Sequence, residues 1–269
     1  MQRETELPTS KNLTVLVDGD IVCWRCAASC LKQGVCVEPV EVAQIRVNEL
    51  MYRIVQETEA TAYKVFIGGT DNFRYKIYPE YKANRKDAAK PPWLEPCREQ
   101  LLVEWQAQIV NGMETDDMLG ILQSPDTVIA SIDKDLFMIP GRHYNFVKQE
   151  FYNVNEVDAI RHFWFQMIMG DRTDNIPGYD GTARQTVPKF LQPQINLLMD
   201  CKDQKAMEGM VRTMYEGADM LHQFEINKKL LWILREPMDD EDYDYFGGED
   251  YEEDDEIDLN PEDGEFGGN

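Results

Sequence analysis

Histidine is scarce in this chain, with three in 269 residues, and none stands at a spacing that would let it share a zinc ion. Long apolar runs are missing too: nothing approaches the roughly 18–20 residues that cross a bilayer. The opening stretch MQRETELPTSKN lacks the apolar middle of a secretion signal. These gaps argue against a membrane protein and lead to the expectation of a cytoplasmic one, in a host cytoplasm if the source is viral. Basic charge is also in short supply, 27 Lys and Arg against 50 Asp and Glu, a net −23. Taken whole, that balance speaks against a nucleic-acid partner.

The distribution of the charge reverses that conclusion. Asp239 to Glu265 holds 16 of the 50 acids and no Lys or Arg, which leaves 34 acids against 27 bases in the rest. The chain is therefore a near-balanced body with an acidic tail, and the tail's composition cannot bury enough surface to fold. Residues 239–269 are expected to be a disordered tail, either merely solvated or imitating the charge of DNA towards a basic protein partner or the protein's own groove. Residues 1–12 read as a flexible arm.

Six cysteines are present. Cys23-x-x-Cys26 could suggest zinc or redox chemistry, but no histidine is near. Cys23, Cys26 and Cys30 fall at i, i+3 and i+7, the buried stripe of a helix, where a free thiol packs as a small apolar group.

Between the ends, short apolar runs alternate with amphipathic stretches. Residues 13–17, 63–67 and 127–131 suit buried parallel strands, and 144–151 suits a fourth. Helices are expected from Gly19 through Cys30, from Val40 to Glu57, from Trp93 to Ile109, from Glu114 onward, from Glu156 to Met169, and through 186–235. Strand–helix alternation of this kind implies a mostly parallel central sheet flanked by helices, an α/β fold. The expected division is an α/β domain over 13–151 and a helical subdomain over 152–238.

Carboxylates gather where such a fold would bring them together. Asp18 and Asp133 sit just past strand ends, Asp135 two residues farther on, and the trio Glu114, Asp116 and Asp117 opens a helix. Asp171 and Asp174, in Gly170-Asp-Arg-Thr-Asp-Asn-Ile-Pro-Gly178, are spaced to share one face of a helix end. Open α/β sheets bind ligands beyond the carboxyl ends of their strands. Two unit charges 4 Å apart repel by about 4 kcal/mol at an effective dielectric of 20, so gathered acids need cations. All-oxygen ligands select Mg²⁺ or Mn²⁺, and two such ions can activate water and stabilise a leaving phosphate oxygen. Nearby, Arg74-Tyr-Lys76 and Tyr81-Lys-Ala-Asn-Arg-Lys86 supply positive charge and an aromatic face. Lys82 and Arg85, one turn apart, can grip one phosphate.

These segments, in this order, resemble the 5′-nuclease (flap endonuclease) family, which includes phage 5′→3′ exonucleases and the 5′-nuclease domain of bacterial DNA polymerase I. The pieces that carry the resemblance are VDGD at 17–20, PEYKANRK at 79–86, ETDDM at 114–118, SIDKD at 131–135 and GDRTDNIPG at 170–178. The phage branch is the nearer one, through DNFR…YKANRK…KP from Asp71 to Pro91.

The resemblance implies a two-metal 5′→3′ exonuclease or flap endonuclease acting on DNA with a free 5′ end, a flap or an RNA-primer junction, in phage replication or primer removal. Asp18, Glu114, Asp116, Asp117, Asp133 and Asp135 would hold or orient one metal cluster, and Asp171 and Asp174 would complete the second. Lys82 and Arg85 would act on the scissile phosphate, Tyr81 would lie near the unpaired terminal nucleotides, and 86–110 would arch over the 5′ end. Arg74, Lys86, Gly178, Gly181, Arg184, Thr186 and Lys189 would contact DNA, the last five in a hairpin that cradles duplex phosphates. There Ala183 replaces a family glycine and Gln185 a lysine, which leaves open the hairpin's grip and any K⁺ it holds. The family also carries an aspartate at the slot of Gly69, with Asp71 two residues on as the candidate replacement. A PIN-type ribonuclease and a DNA-junction-binding protein weakened in catalysis are the alternatives.

Overall fold

Val15, Leu16 and Val17 put apolar side chains on both faces of one short strand, which is stable only when both faces are covered. That strand, β2, is the middle of the molecule. The computed structural model describes residues 2, 3, 12–85 and 88–238. In chain order the elements are β1 (Gln2–Arg3), β2 (Thr14–Asp18), α1 (Gly19–Ser29), β3 (Leu31–Lys32), β4 (Val35–Cys36), α2 (Val40–Thr58), β5 (Ala62–Gly68) and α3 (Phe73–Ile77). Then follow α4 (Leu94–Glu104), β6 (Gln108–Val110), α5 (Thr115–Leu122), β7 (Thr127–Ala130), β8 (Gly141–Asn145), β9 (Glu150–Val154) and α6 (Glu156–Met169). The helices α7 (Gln192–Asp200), α8 (Gln204–Gly217) and α9 (Leu221–Leu231) complete the described chain.

Among the described residues the main sheet has the order β1-β9-β8-β7-β2-β5-β6, and β3 and β4 form a separate hairpin. Pairing is parallel from β8 through β7, β2 and β5 to β6, whereas β9 and β1 join antiparallel at one edge. The expected mostly parallel sheet flanked by helices is the observed architecture. One face of the sheet, with Val15, Val17, Val65, Ile67 and Val128, is covered by α1, α2 and α4. The other, with Leu16, Phe66 and Ile129, shares a core with α5, α6, α8 and α9. Cys23, Cys26 and Cys30 are free and buried in the first of these cores, as their spacing indicates.

Four local expectations are corrected. The strand expected over 144–151 is a hairpin, β8 and β9. Asn145 breaks it: its Oδ1 accepts hydrogen bonds from the Val147 and Lys148 amides (3.1 and 3.0 Å), and Gln149 adopts φ 56°. The helix expected over Trp93–Ile109 stops at Glu104. Gln106 turns left-handed (φ 50°), the Ala107 amide reaches back to the Leu101 carbonyl, and Gln108–Val110 pairs with β5. Within the stretch expected to arch over the 5′ end, residues 94–110 therefore pack against α1, α2 and β5. Cys97, Leu101 and Trp105 are core residues, and β6 closes the sheet. In the arm expected at 1–12, Gln2 and Arg3 pair with β9. The remaining arm residues except Asn12, together with Lys86 and the acidic tail 239–269, lie outside the described residues. Among the described residues no helix is long and apolar enough to cross a membrane.

Candidate active site

The register of the sheet lines up its carboxyl ends. Asp18 is the last residue of β2, abreast of Phe66, and Val17 pairs with Ala130 just before Ser131. Asp18 caps α1 by accepting from the Ile21 amide at 3.1 Å, and its other oxygen accepts from the Ser131 hydroxyl at 2.7 Å. Ser131 Oγ in turn accepts from the Asp133 amide (3.1 Å), and Asp133 Oδ1 accepts from the Asp135 amide (3.0 Å). The segment after β7 is thus curled so that both aspartates face the sheet end. Glu114 stands at the N-cap of α5, with Asp116 in the first turn.

Asp171 and Asp174 arrive differently from the shared helix face that their spacing suggests. They lie in a tight turn closed by a two-way bridge between Asp171 and Ile176, at 2.9 and 2.8 Å. Asp171 Oδ1 accepts from the amides of Thr173 (2.6 Å) and Asp174 (3.2 Å). Gly170 (φ 68°) ends α6, and a Cβ there would stand 2.5 Å from the Gly178 nitrogen. A Cβ on Gly178 would meet the Ile168 carbonyl at 2.5 Å. Two backbones touch here, and only glycine permits it.

Seven of the eight expected acidic ligands border three adjoining pockets that share lining residues and together form a cleft. A lobe of about 290 Å³ is lined by Asp18, Glu114, Asp116 and Asp133, with Lys82 and Arg85 on its wall. A chamber of about 30 Å³ is bounded by Glu114, Asp116, Asp135, Asp171 and Asp174. A second lobe of about 580 Å³ continues past Asp133, Asp135 and Asp171 to Lys134, Arg172 and Arg184.

Electrostatics bear the mark of this gathering. Burial, with Asp20 and Asp133 nearby, raises Asp18 to about 7. Burial together with Asp133, Asp171 and Asp174 raises Asp135 to about 8. Desolvation and the charges of Asp133, Asp18, Glu114 and Asp135 push Asp116 well above the usual carboxylate range. Desolvation also acts on Glu114, but Arg74 and Lys82 outweigh it and hold that carboxyl below its usual value.

The basic residues 82 and 85 meet these acids directly. Lys82 Nζ pairs with Glu114 Oε1 and lies 3.6 Å from Asp174 Oδ2. Arg85 pairs with Asp174 Oδ1 and donates to the Thr173 carbonyl at 2.9 Å. Among the described residues no three His, Cys, Asp or Glu side chains are gathered closely enough to hold one metal ion. Lys82 and Arg85 hold Glu114 and Asp174 instead. The donor set nevertheless fits a hard divalent cation: it is all oxygen, strongly anionic and short of compensating charge around Asp18, Asp116 and Asp135.

Three expected roles are corrected. Asp117 is not at the cleft. It is fully buried, and its oxygens face Arg74 Nη1 and Nη2 at 2.5 and 2.9 Å. It also accepts from the amides of Glu114 and Leu234, both at 3.0 Å. Arg74 is therefore not on a DNA-facing surface. Its remaining donors reach the carbonyls of Leu230 and Trp232, both at 2.8 Å. Tyr81, expected beside unpaired nucleotides, is 1% exposed. Its hydroxyl lies 3.0 Å from Glu114 Oε2 and 3.0 Å from Asp174 Oδ2, so it orients two acids rather than offering a stacking face.

The hairpin residues fold as a loop whose amides point inward. Gly178 N donates to the Thr182 carbonyl, Tyr179 N to Ile168, Gly181 N to Gly178 and Arg184 N to Met169. Arg184 pairs with Asp180 at 2.5 Å. Gly181, Thr186 and Lys189 are exposed, whereas Gly178 is buried. At Gly69 a Cβ would lie 2.1 Å from Asn111 Oδ1 and 2.7 Å from the Val110 carbonyl, which excludes any side chain there. Asp71 is exposed at the rim of the 290 Å³ lobe.

Sequence reasoning passed over Asp20, Arg98 and Gln166. Asp20 lines the lobe but is tied to Arg98 (2.6 Å), the Gly68 amide (2.7 Å) and the Thr115 hydroxyl (2.7 Å). Its place in Val17-Asp-Gly-Asp20 was the available signal. Gln166, in an apolar helix, gave none.

Residues 13–170 match the family described as 5′-3′ exonuclease, N-terminal resolvase-like domain. DNA polymerase I of Bacillus caldotenax is 26% identical over 257 residues, covering 84% of this chain and 28% of that protein. A 5′-3′ exonuclease of Buchnera aphidicola subsp. Acyrthosiphon pisum is 30% identical over 138 residues, covering 42% of this chain and 46% of that protein. The chain thus spans under half the length of either relative. Among solved structures, a bacteriophage T5 flap endonuclease variant in a pseudo-enzyme–product complex with DNA and metal ions superposes with a TM-score of 0.56. Identity is 18%, over 82% of this chain and 89% of that one, so the likeness is one of fold.

Proposed function

The chain belongs to the 5′-3′ exonuclease family, and on that premise we propose that it hydrolyses DNA phosphodiester bonds from a free 5′ end, at plain ends, flaps or RNA-primer junctions, in phage replication. The observation that carries this reading is the meeting of Asp18, Glu114, Asp116, Asp133, Asp135, Asp171 and Asp174 on one cleft with Lys82 and Arg85.

Asp18, Glu114, Asp116, Asp133 and Asp135 would hold one divalent cation, Mg²⁺ or Mn²⁺, and Asp171 and Asp174 would complete the site of a second. Bound there, such ions supply positive charge to the phosphodiester and acidify water. Tyr81 keeps Glu114 and Asp174 aimed at the cleft. Lys82 pairs with Glu114 and Arg85 with Asp174. At the cleft wall both bases are placed to donate to the non-bridging oxygens of a phosphate. Lys134, Arg172 and Arg184 give the 580 Å³ lobe the charge to follow a nucleic-acid backbone, and Lys189 is a further exposed base.

A 5′-labelled flap and a blunt duplex, each incubated with Mg²⁺ or with EDTA, test the reading. Cleavage releasing label from the 5′ side, dependent on Mg²⁺ and lost in Asp133→Asn, is expected. Metal-independent cleavage, or full activity of Asp133→Asn, would overturn it.

A further inference from the structure

The 30 Å³ chamber beside Asp135, Asp171 and Asp174 has an apolar side, with Ile176, Leu230 and Leu231, and a polar side on which Gln166 of α6 stands among five carboxylates, Tyr81 and Arg74. This side chain is 9% exposed, and its Nε2 donates to Asp135 Oδ1 at 2.5 Å. Its Oε1 is buried with no hydrogen-bond partner. An amide oxygen in that state costs about 1–3 kcal/mol, so its setting calls for an explanation.

The chamber's chemistry limits what that partner can be. In the orientation observed Nε2 is the atom that meets Asp135, which leaves Oε1 as the atom in need of a donor or a cation. Of the other polar groups around it, Glu114, Asp116, Asp135, Asp171 and Asp174 are carboxylates, and Tyr81 and Arg74 are donors. The Tyr81 hydroxyl already faces Glu114 and Asp174, and Arg74 is closed against Asp117. About 30 Å³ is room for one small species. A neutral water has two protons to give, enough for Gln166 Oε1 and one carboxylate but not for the other carboxylates on the polar side. A hard cation, or water in its shell, satisfies them all, and amide carbonyls are ordinary oxygen partners for such ions.

We propose that Gln166 belongs to the divalent-cation site, its amide N–H₂ setting the orientation of Asp135 while its Oε1 faces the ion's shell. This rests on the nuclease reading above and adds to the acidic set one neutral residue, placed by α6. Gln166 is a positioning residue here: it acts on the ion and on Asp135, not on the nucleic acid. A neutral oxygen at this wall completes the shell without adding to the repulsion that already burdens the site.

The test is Mn²⁺ binding to the full chain without DNA, by calorimetry and by the electron paramagnetic resonance of free Mn²⁺. Gln166→Met keeps the length of the side chain and removes both polar atoms. It is expected to weaken one class of Mn²⁺ site by about 10–100-fold, the usual cost of losing a partner of a metal ligand. Gln166→Glu restores acceptor oxygens and is expected to bind Mn²⁺ at least as tightly as the parent, with lower metal-free thermal stability. Circular dichroism of both variants checks the fold, and the Glu variant carries the test if the Met variant does not fold. Parent-like Mn²⁺ affinity in Gln166→Met, or Mn²⁺ binding weakened tenfold in folded Gln166→Glu, overturns the assignment while a cleaving parent leaves the nuclease reading intact. A parent that binds no Mn²⁺ and cleaves nothing overturns both.

Discussion

Arg74 and Asp117 face one another as a closed pair, Nη1 and Nη2 at 2.5 and 2.9 Å from the two carboxylate oxygens, with side chains 2% and 0% exposed. The pair locks α3 to the start of α5, and through the Leu230 and Trp232 carbonyls it ties both to the end of α9. It thereby fixes the backbone from which Glu114 and Asp116 project. Removing either partner leaves an uncompensated buried charge. Arg74→Met and Asp117→Asn are each expected to destabilise by about 3–5 kcal/mol, read as urea midpoint. The double variant Arg74→Met/Asp117→Leu should lose less than the two singles summed. A single variant within 1 kcal/mol of the parent would contradict a structural role.

Tyr81 gives a second prediction. Its hydroxyl is shared between Glu114 and Asp174, and its ring is buried. Tyr81→Phe should keep the fold but lower single-turnover cleavage by roughly 10–100-fold, on the scale of one hydrogen bond to a charged group. If the ring instead stacked on a nucleotide, phenylalanine would serve as well and the rate would be unchanged. Tyr81→Ala should cost about 3–5 kcal/mol of stability.

Asp116 offers a contrast between stability and activity. Its carboxyl is pushed upward by desolvation and by four neighbouring acids. Asp116→Asn removes part of that repulsion, so the metal-free protein should melt higher, at about 2–4 °C per kcal/mol gained. Cleavage should fall by about 100-fold or more, the scale of a lost charge-stabilising group. Differential scanning calorimetry in EDTA, beside rates in Mg²⁺, would show the opposed signs. A lower melting temperature would count against the picture of crowded charge.

His143 sets a limit on the acid side. It is buried, stacked on Tyr152, with Nε2 at 2.8 Å from the Ile139 carbonyl, and burial lowers it from 6.5 to about 4. The unfolded chain therefore takes up a proton near pH 6.5 that the folded chain refuses until about 4. The stability it contributes is present above pH 6.5 and disappears as the pH falls through that window, by about 3 kcal/mol at most. His143→Phe keeps the ring contact and should flatten this part of the stability curve between pH 6.5 and 4, measured by urea unfolding at stepped pH.

The strands β2, β5 and β7 and the helix α6 were legible because apolar runs and helical periodicity are local properties of the chain. The acids at strand ends were legible for a related reason: Asp18 and Asp133 directly follow apolar strands, and a parallel sheet has one carboxyl edge. Asn145 and Gln106 were not, since the backbone turns they make depend on what the flanking residues pair with. Among Glu114, Asp116 and Asp117, spacing offered no way to tell which carboxylate turns inward. The partner that decides it, Arg74, lies 43 residues away.

The sequence by itself determined the kind of sheet, the residues at its carboxyl edge and the all-oxygen character of their side chains, because strand patterning and donor chemistry are written residue by residue. Only the tertiary structure decided which of those groups share a cleft and which are closed off. Asp117 and Arg74 cancel each other in the core, Tyr81 turns inward to bridge two acids, and Gln166 reaches the chamber from a helix whose pattern reads as core. Charge compensation and burial are properties of neighbours in space, and the spacing of residues along a chain does not contain them.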